Sequence, residues 1–349
     1  MKNNMQKVHA ICEKALQSGS LSKEEIILLL HCPEEHSEII FQTADTVRKK
    51  EVGNQVHLRG LIEFSNYCKK NCEYCGIRGK NKNIDRYRLS NEEILETALR
   101  AESLGYRSVV MQSGEDPFFT AEILADIIST IKSHTDLAVT LSAGEFSYDG
   151  YKTIKEAGTD RYLLRFETSS EELYKKLHPD SDFHQRIECL HMLEELGYQV
   201  GSGFMVGLPG ETPEILADNL LLLQKLDVDM AGIGPFLPNS DTNLAGATGG
   251  TLINSLKAVA IARLLLRNAH IPATTAMGSL DPKGREKALQ AGANVVMPNV
   301  TPEEFREMYQ LYPNKICLRD DPAHCRRCIT GKIQALGRTV STEHGHSLK

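Results

Sequence analysis

From about residue 55 onward, short apolar runs alternate with amphipathic windows. The runs are His57–Phe64, Ser108–Gln112, Leu137–Ala143, Arg161–Phe166, Gln199–Val206, Met230–Phe236, Ile271–Met277 and Asn294–Met297. Their length and near-continuous apolar character predict buried strands. The windows between them carry apolar residues at helical spacing, and several stop at a glycine: Gly105, Gly158, Gly197 and Gly292. Glycine just past a helix end adopts the left-handed stop that other residues resist. Ser90 with Glu93, Ser169 with Glu172 and Thr301 with Glu304 offer capping boxes at helix starts, and Pro302 fits a first helical position. Eight strands, each followed by a helix, predict an α/β chain closed as a (β/α)8 barrel of the TIM type; an open parallel sheet is the alternative. Residues 1–54 predict a helical extension. It has a capping box at Ser22 and Glu25 and a second helix over 34–50, marked by Ile39, Ile40, Ala44 and Val47. The expected division is 1–54, 55–315 for the barrel, and 316–349 for a segment bearing cysteines and a polar tail.

Composition narrows the class. The 349 residues are 41% hydrophobic and carry a net charge of -6, which argues against a broad nucleic-acid surface. No signal-peptide pattern opens the chain, and no apolar run reaches membrane-spanning length. A cytoplasmic enzyme is expected, with cysteines serving metals rather than disulfides. The basic residues Lys69, Lys70, Arg78, Lys80, Lys82, Arg86 and Arg88 read as a solvated loop. Cys12, Cys32 and Cys189 stand alone and read as packed small hydrophobes.

Directly after the first run comes Cys68-Lys69-Lys70-Asn71-Cys72-Glu73-Tyr74-Cys75. Three thiolates at C-x3-C-x2-C spacing do not make a closed four-ligand zinc or cluster site. A 4Fe-4S cubane on three cysteines keeps one iron open for another ligand. A zinc knuckle or a chance cluster is the plainer alternative. In a barrel, chemistry belongs at the carboxyl ends of the strands. Those ends supply Ser113-Gly114-Glu115-Asp116-Pro117, Gly144-Glu145, Glu167-Thr168, Gly207-Leu208-Pro209-Gly210-Glu211, Pro235 and Met297-Pro298-Asn299. Far along the chain, Cys317, Cys325 and Cys328 form a second set, with His324 beside it; iron–sulfur, zinc or free thiols are all open. The tail from Arg338, with His344 and His346, reads as a polar, disordered end.

The cysteine loop with Tyr74 resembles the signature of the radical S-adenosylmethionine (SAM) enzymes. More narrowly, EFSNYCKKNCEYCGIR, MQSGEDPFF, RYLLRFET, FMVGLPGET, AGIGPF, IPATTAMG, NVVMPNVTP and YQLYPNKIC resemble the FeFe-hydrogenase maturases of the HydE family. Biotin synthase and methylornithine synthase are the competing subfamilies. A non-catalytic iron–sulfur carrier is the competing class. The resemblance implies that Cys68, Cys72 and Cys75 hold a 4Fe-4S cluster whose open iron binds SAM. It places Tyr74, Gln112, Thr140, Glu167, Arg186 and Tyr309 around SAM, with Tyr312 nearby. Arg59, Ser113, Arg165, Thr274, Thr275 and Met297 would line a pocket for a small anionic iron–CO–cyanide–cysteine precursor. The tail cysteines would hold a second cluster, 2Fe-2S or 4Fe-4S. Partners implied are the other hydrogenase maturases and a reduced electron donor, without nucleic acid or membrane. For Glu167 and Arg186 the competing reading is mutual pairing; for the two arginines it is pairing with Glu63 or Glu167.

Overall fold

The computed structural model describes residues 2–349. Six strands form one parallel sheet in sequence order: β2 (Gly60–Ser65), β3 (Ser108–Ser113), β4 (Ala138–Ser142), β5 (Arg161–Leu163), β6 (Gln199–Val206) and β7 (Met230–Pro235). A second group orders β8 (Val295–Val296), β1 (Gln55–Leu58) and β9 (Thr339–Val340), also parallel. The order follows from the right-handed β–helix–β connection, which lays each strand beside the last. Single bridges connect the two groups: Met230 with His270, Pro272 with Val295, and Leu61 with Asn299. Helices cover the outside. Arg59, just before β2, and Leu61 and Glu63 along it line an interior cavity at alternate positions, as the two-residue period of extended chain requires.

The run Ile271–Met277 is not a strand. Its first residues stay extended through the single bridges above, but Pro272 cannot donate to a ladder. The chain then turns at Thr274 into the helix Thr275–Leu280, which buries Met277 and Gly278. The extension differs in detail too. A 3-10 turn, Glu34–His36, precedes the helix Glu38–Val52, so the expected single helix is two pieces. These helices pack on Leu252–Leu265 and share one hydrophobic core with the sheet, from Val8 to Ile333. The capping boxes at Ser22 and Ser90 form as expected. Ser170, not Ser169, caps its helix, because the Ser169 amide donates to Asn219 at 2.6 Å. Thr301 is likewise diverted: its hydroxyl accepts the Glu63 amide at 2.8 Å, and Pro302 takes the cap position.

The tail is ordered, against expectation. After β9 it crosses beneath the sheet and caps the amino-terminal end of the interior. The Arg161 guanidinium donates to the His344 and Gly345 carbonyls at 2.8 and 2.9 Å, and Arg59 donates to Gly345 at 3.1 Å. His270 Nε2 donates to the His346 carbonyl at 3.0 Å. Both arginines are almost fully buried, so these carbonyls replace water they cannot reach. Deleting residues 341–349 is therefore expected to destabilise the fold by about 2–4 kcal/mol, or roughly 5 °C or more in melting temperature. Calorimetry on the cluster-free protein tests this; an unchanged melting temperature would make the tail a passenger.

Candidate active site at the carboxyl end of the sheet

Where β2 ends, Asn66 fixes the cysteine loop. Its amide group donates to the Asp85 and Met308 carbonyls at 2.7 and 2.8 Å and accepts the Tyr87 amide at 2.8 Å. Arg86 gathers the carbonyls of Ile77, Arg78 and Asn81 at 2.8, 2.7 and 3.1 Å. The Lys69 amide donates to Glu115 at 2.9 Å, crossing to the loop after β3. Gly114 permits that approach, since a Cβ there would stand 2.7 Å from Cys68 Cβ. Much of the basic run is thus structural rather than solvated. Besides Arg86, Arg78 pairs with Glu73 at 3.3 Å, and Arg88 clasps Asp116 at 2.7 and 2.9 Å over the Tyr67 ring.

The loop turns Cys68, Cys72 and Cys75 into one cavity of about 260 Å³. Burial, with Cys68 beside it, pushes the Cys72 thiol up to about 12, and burial raises Cys68 and Cys75 as well. Three thiolates packed this way are stable only against a cation, so the donor set suits a metal cluster. Among the described residues no three His, Cys, Asp or Glu side chains converge on a single ion. Cubane thiolates do not need to converge, because each takes a different iron.

Above the thiols lies a charged set. Arg186 reaches Glu145 at 2.8 Å and Glu115 at 3.3 Å, and Arg165 reaches Glu167 at 3.1 Å. Glu167 and Arg186 are not paired with each other; each has a different partner. Several contacts are at ion-pair distance but are not aligned as hydrogen bonds. Arg186 Nε, Arg165 Nη2, Glu145 Oε1, Glu167 Oε2 and Glu115 Oε2 all lack a hydrogen-bond partner. Burial raises the Glu115 and Glu167 carboxyls, with nearby arginines offsetting part of it. Glu167 also sits at φ 63°, a left-handed backbone that a glutamate adopts only at a cost. Buried, unaligned and strained, this set has donors and acceptors left over for a zwitterionic ligand bearing hydroxyl groups.

Aromatic side chains frame the cavity. The Tyr74 hydroxyl is 2.8 Å from His178 Nε2. His178 Nδ1 donates to the Tyr174 carbonyl at 3.0 Å, and burial pushes its imidazole down to about 3. His178 is therefore neutral, and its Nε2 accepts a hydrogen bond from the Tyr74 hydroxyl, which holds the ring beside Cys72 and Cys75. Gln112, Ser113, Thr274, Tyr309 and Tyr312 also line this cavity. A deeper cavity of about 180 Å³ shares Gln112, Arg165, Thr274 and Tyr312 with it, and adds Arg59, Thr140, Thr275 and Met297. Glu115 and Glu145 stand among the residues expected at the strand ends, and Glu63 as a possible partner of the arginines; His178 and Lys315 were not anticipated. Both lie outside the strand ends and carry no local signal.

The tail cysteines are less remote than their position in the chain suggests. Cys325 and Cys328 lie one turn apart on the helix Pro322–Ala335; Cys325 is buried and Cys328 exposed. A hydrogen bond from Cys325 and the nearby Arg285 guanidinium hold the Cys317 thiol down at about 6, though burial opposes them. A small void bounded by Cys317 and Cys325 shares Leu61, Thr275, Met297 and Lys315 with the deeper cavity.

Known proteins match this architecture. Residues 62–223 fit the sequence model of the radical SAM superfamily. The chain is 50% identical over 309 residues to the FeFe hydrogenase maturase subunit HydE of Thermotoga maritima, covering 88% of each chain. It is 32% identical over 287 residues to 3-methylornithine synthase of Methanosarcina acetivorans, covering 81% of each. The crystal structure of methylornithine synthase (PylB) superposes with a TM-score of 0.84 at 27% identity, over 95% of this chain and 97% of that one. The fold and the three-thiol loop are those of a radical SAM enzyme. Within that superfamily, the chain belongs to the HydE family of FeFe-hydrogenase maturases.

Proposed function

We propose that this enzyme acts in assembly of the FeFe-hydrogenase diiron unit, with a small anionic iron–CO–cyanide–cysteine precursor as its substrate. The observation that carries the reading is the stacking of two cavities: the thiol loop faces the outer one, and Arg165 lines both. Cys68, Cys72 and Cys75 would hold the 4Fe-4S cluster. The chemistry that the reduced cluster and SAM would supply, when bound there, is formation of a 5′-deoxyadenosyl radical. The residues then divide the remaining work. Glu115 and Glu145 would take the ammonium of SAM, Arg186 its carboxylate, and Glu167 the ribose hydroxyls. Their unaligned atoms support this assignment, since a carboxylate suits two hydroxyl donors and a guanidinium suits a carboxylate. Gln112 and Thr140 would lie between cofactor and substrate. Tyr74, held by His178, and Tyr309 would exclude water. The deeper cavity, with Arg59, Arg165, Ser113, Thr274, Thr275 and Met297 around or beside it, would hold the anion. We read the strands and the single bridges joining them as a (β/α)8 barrel, braced by residues 1–54. The partners expected are the other maturases and a reduced electron donor.

The experiment is anaerobic reduction with SAM, scored for 5′-deoxyadenosine and for activation of apo-hydrogenase. A carrier of clusters yields no deoxyadenosine. A radical SAM enzyme of other specificity yields it but activates no hydrogenase.

A second cluster at Cys317, Cys325 and Cys328 is part of this reading. Alanine at all three is expected to lower the iron content while SAM cleavage stays within about threefold, because none of them lines the outer cavity. Hydrogenase activation is expected to fall further than SAM cleavage, since the Cys317 segment borders the deeper cavity. Iron analysis and the two assays check this; complete loss of SAM cleavage with the first cluster intact would sink it.

A further inference from the structure

Lys315 lies on the segment joining the sheet to the tail cysteines, and it is 8% exposed. It is one of three cations lining the deeper cavity, with Arg59 and Arg165; Glu63 is the carboxylate among the lining residues. The lining therefore has an excess of two positive charges. The cations are not equally free. Arg59 is held at the floor by the Gly345 carbonyl at 3.1 Å and by the Met230 sulfur. Arg165 leans on Glu167 at 3.1 Å. Lys315 Nζ donates to Glu63 and, at 3.0 Å, to the Tyr309 carbonyl. Two of its three N–H groups are so engaged. Glu63 has support of its own: its second oxygen accepts from Asn299 at 2.8 Å, and Asn299 in turn accepts the Thr301 amide at 2.9 Å. The carboxylate is thus fixed by its neighbours, while the ammonium is a compact charge on a flexible stem.

We propose that Lys315 binds the anionic group of the substrate, and that Glu63 is an internal stand-in for that anion. Substrate entry transfers the ammonium from Glu63 to the ligand, and Asn299 keeps the released carboxylate hydrogen-bonded. The proposal rests on the reading that the deeper cavity takes a small anion, and it names the group that does so.

Azide is a suitable probe, being a small linear anion with an infrared stretch sensitive to hydrogen bonding. It is titrated into the reconstituted protein with SAM present, so that the probe does not compete for iron. Wild type is expected to bind with a band shifted from that in water. Glu63→Gln removes the competing carboxylate and is expected to bind azide roughly tenfold more tightly. Glu63→Gln with Lys315→Met removes both members of the pair, so neither is left buried without the other, and should bind at least roughly tenfold more weakly than Glu63→Gln alone. Removing a carboxylate from the lining favours any anion, so the comparison of the double with the single variant carries the assignment to Lys315. Equal affinity in the single and double variants overturns the role of Lys315, as does Glu63→Gln binding no more tightly than wild type. Absence of azide binding in wild type instead overturns the anion-cavity reading, and this assignment with it.

Discussion

Alanine in place of Cys68, Cys72 or Cys75 is expected to abolish SAM cleavage, with deoxyadenosine falling by more than about a thousandfold. Each thiolate is one of three ligands to a cluster that must both bind SAM and pass it an electron. The loop offers no substitute. Its path is fixed by Asn66 and Arg86, and by the Lys69, Gly76 and Gly79 amides bonded at 2.9 Å to Glu115, Leu311 and Lys70. The remaining cysteines are elsewhere: Cys12, Cys32 and Cys189 are buried, and none lines the outer cavity. The fold should survive, because Cys68, Cys72 and Cys75 lie between strands and not in the sheet. Circular dichroism should match wild type, while the iron content drops by the complement of one cluster. Near-normal deoxyadenosine from any of the three variants would refute the ligand assignment.

What the sequence reveals here depends on how local the determinants are. The six-strand sheet was legible because each strand is a contiguous apolar run, and four predicted helix stops, Gly105, Gly158, Gly197 and Gly292, do adopt positive φ. The thiol loop was legible because its ligands fall within eight residues. Thr274 was misread because β-branched residues suit strands; Pro272 within the run was a local signal against one, but nothing nearby announces that Met277 needs burial. The tail was misread because its polar character is real. Its order comes from Arg59 and Arg161, far away in sequence, which need its carbonyls. The pairing of Glu63 with Lys315 spans 252 residues and has no local signature at all. The apolar strands did reveal that Arg59 and Arg165 need partners. Arg59 takes neither of the two carboxylates weighed for them but a backbone carbonyl from the tail, which no strand announces, whereas Glu167, one of those two, does pair with Arg165.

That last pairing sharpens what Arg165→Met should do. Methionine keeps much of the side-chain volume and removes the charge from the one arginine that lines both cavities. Two consequences are expected. The substrate loses a cation, so hydrogenase activation should fall by roughly a hundredfold or more, the size of effect seen when one partner of a buried charge pair is removed. Glu167 also loses its closest positive neighbour. Its carboxyl is already raised by burial, with Arg165 the larger of two offsets. Removing Arg165 raises it further, so the ionised form that would hold the ribose of SAM becomes less populated as pH falls. SAM cleavage without substrate should therefore remain within about tenfold of wild type at high pH and decline toward low pH more steeply than in wild type. Adding Glu167→Gln removes the titrating group, so the double variant should show no steeper pH dependence than wild type. It should still fail to activate hydrogenase. Activation at the wild-type rate in Arg165→Met would remove Arg165 from the substrate site. A steeper decline that persists in the double variant would show that another group governs the pH response.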